Sequence, residues 1–233
     1  GSGKTTLTRA LLDRLPSTVA TALIVHPQLA PHELIRAILR DFGIPIRSLL
    51  PQRMLESLRR FLLRIAEGGG TALVIIDEAQ LLSRETLEAV RLLTNFETDK
   101  QKLLQILLVG QPELAETLAG HDLRQLRQRI ALRLALKPMS FDETERYVHH
   151  RLERCSGERP PTFESGALRT IHRESGGYPR LVNMMCDRAL VASFVRERFV
   201  VDRPTVELAV KDIRGDEGLW KRWGRRLLHV AYS

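Results

Sequence analysis

GSGKTT at residues 1–6 and TALVIIDE at residues 71–78 decide how this chain is read. The first stretch is the last part of a phosphate-binding loop. The glycines let the backbone curl so that successive N–H groups of Gly1, Ser2 and Gly3 face an anion, and Lys4 brings a positive charge to the terminal phosphates. A helix beginning near Thr6 turns the positive end of its dipole the same way, and the Thr5 hydroxyl can ligate Mg2+. Gly1, Ser2, Gly3, Lys4, Thr5 and Thr6 are therefore the candidate nucleotide contacts. A linker followed by Lys-Thr-Thr through coincidence is the duller reading, and the second stretch weakens it. Residues 71–76 are continuously apolar, as in a strand buried in a parallel sheet, and the run ends at once in Asp77 and Glu78. An acid pair after a buried strand is only moderately specific by itself. Placed 73 residues after Lys4, it stands where the phosphate loop requires it. Asp77 would then hold Mg2+ through its water shell, and Glu78 would polarise a water aimed at the γ-phosphate. The expected ligands are ATP and Mg2+.

Around these two stretches the pattern alternates. Residues 18–25 (TVATALIV) read as a strand, 31–42 as a helix stopped by Gly43, and Met54, Leu55, Leu58, Phe61, Leu62 and Ile65 as the apolar stripe of another helix. The opposite face of that helix carries Arg53, Arg59, Arg60 and Arg64, read as a solvated face. A helix at 84–94, a strand at 104–109, a helix at 122–128 and a strand at 130–136 follow. Such alternation predicts an α/β fold, a three-layer parallel sheet with helices on both faces. After Pro138 the reading is helical throughout, at 142–154, 165–173, 179–195 and 204–214. The expected organisation is an α/β nucleotide-binding core at 1–137, a small all-helical lid at 138–214 and a basic, aromatic tail at 215–233. No methionine opens the chain, and the strand that feeds such a loop does not precede Gly1, so the chain is expected to be part of a longer product lacking the core's first strand.

The 233 residues are 43% hydrophobic and carry a formal net charge of +8. That charge is spread as +5, +1 and +2 over the three segments, without a recognisable DNA-binding motif. Cys155 and Cys186 form no metal-ligand pattern, the seven histidines have no zinc-site spacing, and no run reaches the ~20 apolar residues of a membrane span.

Three further positions are candidates. Gln111 follows the strand at 104–109 after Gly110, which would set its amide beside Glu78 as a sensor. Arg124, Arg127, Arg129, Arg133 and Lys137 form a cationic series with no acid among them. Arg129 is the candidate for an arginine finger reaching the nucleotide of a neighbouring subunit, with Arg127 and Arg124 as alternatives. Gly176-Gly177-Tyr178-Pro179-Arg180 joins two helices of the lid and presents Arg180 at a helix N-terminus.

In their order, these motifs resemble an AAA+ ATPase, with Arg180 in the place of the second sensor. LVIIDEAQLLS (73–83), RLLTNFETDKQKLLQILLVGQPEL (91–114), LRQLRQRI (123–130) and SGGYPRLVNMMCDRAL (175–190) resemble more closely the general secretion pathway protein A family, over residues 1–214. More distant similarity extends to ATPases of exopolysaccharide and exosortase clusters and to transposition ATPases. The resemblance implies the cytoplasmic module of an inner-membrane-anchored bacterial ATPase. It also implies assembly into a homo-oligomeric ring or filament, with secretion or envelope components as partners through regions outside this chain. In that family the strand-end residue restraining the catalytic acid is usually Asn. Here His26 stands in its place, so either its imidazole does that task or the restraint is altered. A nucleotide-dependent DNA-binding regulator is the alternative function, and a scaffold that binds nucleotide without turnover is opposed by the intact Glu78. In the tail, Trp220 and Trp223 interleave with Lys221, Arg222, Arg225 and Arg226. This suits a membrane interface ahead of a downstream span, the alternatives being a helix packed on the lid or a disordered end.

Overall fold

In a computed structural model the chain is described at residues 3–99, 101–155 and 161–215. The apolar runs become three parallel strands, β1 (Val19–Ile24), β2 (Thr71–Ile76) and β3 (Leu104–Leu108), in the order β1-β2-β3. Ile24 pairs with Ile76 and Ile76 with Leu108, so the strands end at one level. The central place of β2 accounts for its composition. Ladder partners flank both edges and both faces are covered, leaving Ala72, Val74, Ile75 and Ile76 each 0% exposed; a strand hidden on both faces has no reason to alternate polar with apolar residues.

With helices α1 (Lys4–Leu12), α2 (Pro31–Asp41), α3 (Pro51–Glu67), α4 (Arg84–Leu93), α5 (Pro112–Ala119) and α6 (Arg124–Arg129), the sheet makes one compact unit, Lys4–Leu134. The stripes expected from periodicity meet in its core, where Leu34 and Ile38 of α2 and Leu58 and Leu62 of α3 pack with Val74 and Ile76. Burying each such side chain contributes about 1.5–3 kcal/mol. Gly43, with φ of 68°, ends the α2 region as expected. Gly70 has a tighter reason to be glycine: an added Cβ would stand 2.6 Å from the carbonyl oxygen of Thr18, where the chain enters β2. At β1, the Leu23 N–H donates to Asp41 Oδ2 at 2.6 Å, satisfying a backbone group that would otherwise lie open at a sheet edge.

The second unit runs from Ala135 and contains α7 (Phe141–Cys155), α8 (Ser165–Ser175), α9 (Pro179–Val195) and α10 (Arg203–Ile213). Leu168, Ile171, Val182, Ala189 and Val206 form its core. To these helices the structure adds a short parallel ladder between β4 (Thr162–Phe163) and β5 (Val200–Val201), which buries Phe163 and Val201 in the same core.

Two expectations change. Residues 130–136 are not a strand: Ile130 caps the end of α6, and Leu132 and Leu134 are 72% and 83% exposed. An apolar run becomes a strand only by pairing with a neighbouring backbone edge, and among the described residues none pairs with it. Conversely, residues 112–119 had no expected element, yet Pro112, at the first helical position, opens α5. The tryptophans and cations of the tail lie outside the described residues, as do Gly1 and Ser2. Among the described residues no helix is long and apolar enough to cross a membrane.

Candidate functional site

The level ends of β1, β2 and β3 set the site. Asp77 follows β2 directly and is only 3% exposed. Its N–H donates to the Ile24 carbonyl at 2.9 Å, continuing the ladder past the strand. The carboxylate is tied at both oxygens: Oδ2 accepts from the Thr5 hydroxyl at 3.1 Å and Oδ1 from the Glu78 N–H at 2.9 Å. The first bond joins residues 72 positions apart, bringing the start of α1 to the end of β2. A hydroxyl and a carboxylate set together at a helix N-terminus suit a hard cation that takes most of its ligands from phosphate and water. Among the described residues no three His, Cys, Asp or Glu side chains gather into a cage, and Mg2+ bound with a nucleotide does not need one.

Glu78 takes the left-handed conformation, φ 52° and ψ 36°, sparsely populated for a residue with a side chain; it costs about 1–3 kcal/mol, which the surrounding contacts must offset. The following 3-10 turn, Ala79–Leu81, is anchored by the Ala79 N–H on the Val109 carbonyl at 2.9 Å. Glu78 Oε2 accepts from Gln80 Nε2 at 2.6 Å and from Gln111 Nε2 at 3.4 Å. These two hydrogen bonds, the first the stronger, hold the Glu78 carboxyl below the usual carboxylate range against the opposing effect of burial, and the charge of Lys4 adds a smaller lowering. Gln111 caps α5, and its own N–H donates to Gln80 Oε1 at 3.0 Å. Gly110 makes room for this contact, because a Cβ there would meet Leu114 Cδ2 at 2.8 Å and Gln80 Oε1 at 3.1 Å.

Lys4, Thr5, Asp77, Glu78 and Gln111 thus meet at one end of the sheet. His26 is exposed, and the partners of the Glu78 carboxylate are Gln80 and Gln111 instead. Gln80 was missed from the sequence, although its position two residues beyond the acid, in Asp-Glu-Ala-Gln, offered a signal. Arg129, the last residue of α6, has its Nη1 3.9 Å from Glu97 Oε1, and Glu97 also pairs with Lys102. Arg127 Nη1 donates to the Ala119 carbonyl at 3.1 Å, and Arg124 is exposed. Arg180, in the second unit, is the exposed second residue of α9. The loop before it needs both glycines: Gly176 and Gly177 have φ of 58° and 75°, Met139 N–H donates to the Gly177 carbonyl at 2.9 Å, and a Cβ on Gly177 would lie 2.2 Å from the Met139 oxygen.

The AAA domain family matches residues 1–118. General secretion pathway protein A of Aeromonas hydrophila is 43% identical over 224 residues, covering 95% of this chain and 41% of that protein; the chain spans less than half the length of this relative. Among solved structures, Cdc6p of Pyrobaculum aerophilum is similar with a TM-score of 0.66 at 19% identity, covering 86% of this chain and 55% of that one. The ORC2 protein of Aeropyrum pernix, solved as ADPNP-ADP complexes, has a TM-score of 0.63 at 20% identity, covering 91% and 59%. At such identities these two likenesses are of fold.

Proposed function

The chain belongs to the AAA+ ATPase family, and from that premise we propose that it binds ATP with Mg2+ and hydrolyses it as the motor module of a secretion-type envelope assembly ATPase. The observation that carries this reading is the linked set Thr5, Asp77 and Glu78. A hydroxyl from the start of α1 lies 3.1 Å from the buried carboxylate that ends β2, and the next carboxylate is held by two amides. Backbone N–H groups of the residue 1–6 loop and the Lys4 ammonium bind the phosphates. Mg2+, held through Thr5 and Asp77, supplies neutralisation of charge on the phosphate oxygens. Glu78 accepts a proton from the attacking water as the water oxygen bonds to the γ-phosphorus. The bond from that phosphorus to the β–γ bridging oxygen breaks, its electrons leave with ADP, and Glu78 returns its proton to solvent.

Gln111 restrains Glu78 from the β3 side. Arg129, exposed and only loosely paired, acts on the nucleotide of a neighbouring subunit in a ring or filament, and Arg180 acts as a sensor from the helical unit. The 43% identity to general secretion pathway protein A supports a cytoplasmic module anchored to the inner membrane through regions outside the chain.

Two substitutions test the catalytic assignment. Lys4→Ala should abolish binding of a fluorescent ATP analogue. Glu78→Gln should retain that binding and lose turnover by ~100-fold or more, since only the proton acceptor is removed. Parental turnover in Glu78→Gln would overturn the assignment.

A further inference from the structure

We infer that Gln80 is the residue that positions the catalytic acid, bridging the Glu78 carboxylate and the backbone that begins α5 with the two ends of one amide. The inference rests on the hydrolytic reading of Glu78 given above. Gln80 Nε2 donates to Glu78 Oε2 at 2.6 Å, and Gln80 Oε1 accepts the Gln111 N–H at 3.0 Å. The two bonds fix each other. Turning the amide over would set its NH2 against a backbone N–H and its oxygen against a carboxylate, pairing donor with donor and acceptor with acceptor. Only Gln, or a residue that reproduces its length and its donor and acceptor order, completes the bridge.

Both amide nitrogens, from Gln80 and Gln111, converge on the same oxygen of Glu78, Oε2. The other oxygen, Oε1, is left to accept the water proton. The bridge therefore chooses which oxygen works and where it points, on a backbone already held in the left-handed region. It also connects β2 to β3: a movement of the Gln111 N–H, at the start of α5, pulls on the same amide that holds the acid. His26, at the end of β1, makes no such contact with Glu78.

Gln80→Met keeps the length and removes the donor; Gln80→Glu keeps the acceptor for Gln111 but turns a second carboxylate toward Glu78. Kinetics of the active protein with Mg2+ and ATP should show kcat lowered by ~10–100-fold in Gln80→Met, with KM within about twofold of the parent and binding of a fluorescent ATP analogue unchanged, because a misaimed base costs rate rather than affinity. In Gln80→Glu the second carboxylate repels Glu78 and donates no hydrogen to it, so kcat should fall likewise, again with KM near that of the parent. A side chain that only supported the fold would lower the melting temperature without this selective loss of kcat. Parental kcat in both variants, beside an inactive Glu78→Gln, would overturn the role of Gln80 alone. An active Glu78→Gln would overturn this inference together with the hydrolytic reading beneath it.

Discussion

β2 and the segment at residues 130–136 are both largely apolar, the second interrupted by Arg133, and they meet opposite fates. Thr71–Ile76 is paired along both edges, with Ile75 and Ile76 at 0% exposure, whereas Leu132 and Leu134 of the other segment stand 72% and 83% exposed without a ladder. Apolar residues alone do not make a strand; available backbone edges do. The contrast extends to the charged groups beside each. At the end of β2, Asp77 and Glu78 are held by hydrogen bonds from α1, the 3-10 turn and the start of α5. Within and beside residues 130–136, Arg124, Arg129, Arg133 and Lys137 are exposed, and the pair Arg129–Glu97 is stretched to 3.9 Å. One region is tied by hydrogen bonds within a single chain. The other leaves its cations at the surface.

The largest effect that would sharpen this contrast is expected at Arg129. If it neutralises charge on the nucleotide of a neighbouring copy, Arg129→Ala should reduce turnover of the assembled protein by ~10^3, with ATP affinity of the isolated subunit unchanged. Mixing Arg129→Ala with Glu78→Gln protein should restore part of the activity, since some interfaces then pair an intact acid with an intact arginine. A mixture no more active than its two components would remove Arg129 from that role and turn attention to Arg127 and Arg124. The Arg129–Glu97 pair itself does not oppose the role, because an exposed ion pair at that distance contributes at most about 1 kcal/mol.

The same contrast explains what could be read from sequence. β2 with its acids and the helical stripes over α2 and α3 were legible because each is encoded by residues close in sequence: a continuous apolar run, a 3.6-residue period. Gly43 and the Gly176–Gly177 pair were legible as helix ends for the same reason. Gln80 was not, because its role depends on Gln111, 31 residues away, arriving beside it through the β2–β3 pairing. The left-handed backbone of Glu78 was hidden too, since no local preference of a glutamate announces it. Residues 130–136 failed in the reverse direction: their local pattern is strand-like, but pairing is not a local property. Gln111 was legible only in part, its place at a strand end being clear and its backbone bond to Gln80 not.

A second, smaller effect concerns stability. Ile75→Ala deletes a fully buried side chain from the central strand β2, where packing on both faces limits collapse around the cavity. Urea unfolding followed by circular dichroism should show a loss of about 2–5 kcal/mol. A loss below about 1 kcal/mol would mean that the centre of the sheet can relax, and the distinction between the two regions would lose its basis in packing.

The smallest effect is expected at Leu134→Asn. The side chain is 83% exposed, and as an unpaired segment its backbone gains nothing from a β-forming residue. The substitution removes little buried area and strands no polar group. Unfolding stability should therefore stay within about 0.5 kcal/mol of the parent, the usual range for surface positions away from special features. The same substitution made in β2, Val74→Asn, would bury an amide at a site of 0% exposure and leave its donors without partners, a cost of several kcal/mol on the order expected for an unsatisfied buried polar group with a lost apolar one. Measured side by side, the two asparagines separate the regions by packing alone. If Leu134→Asn proves as damaging as Val74→Asn, residues 130–136 are buried in the working protein. The contrast between the two regions would then belong to the isolated chain and not to the assembly in which it acts.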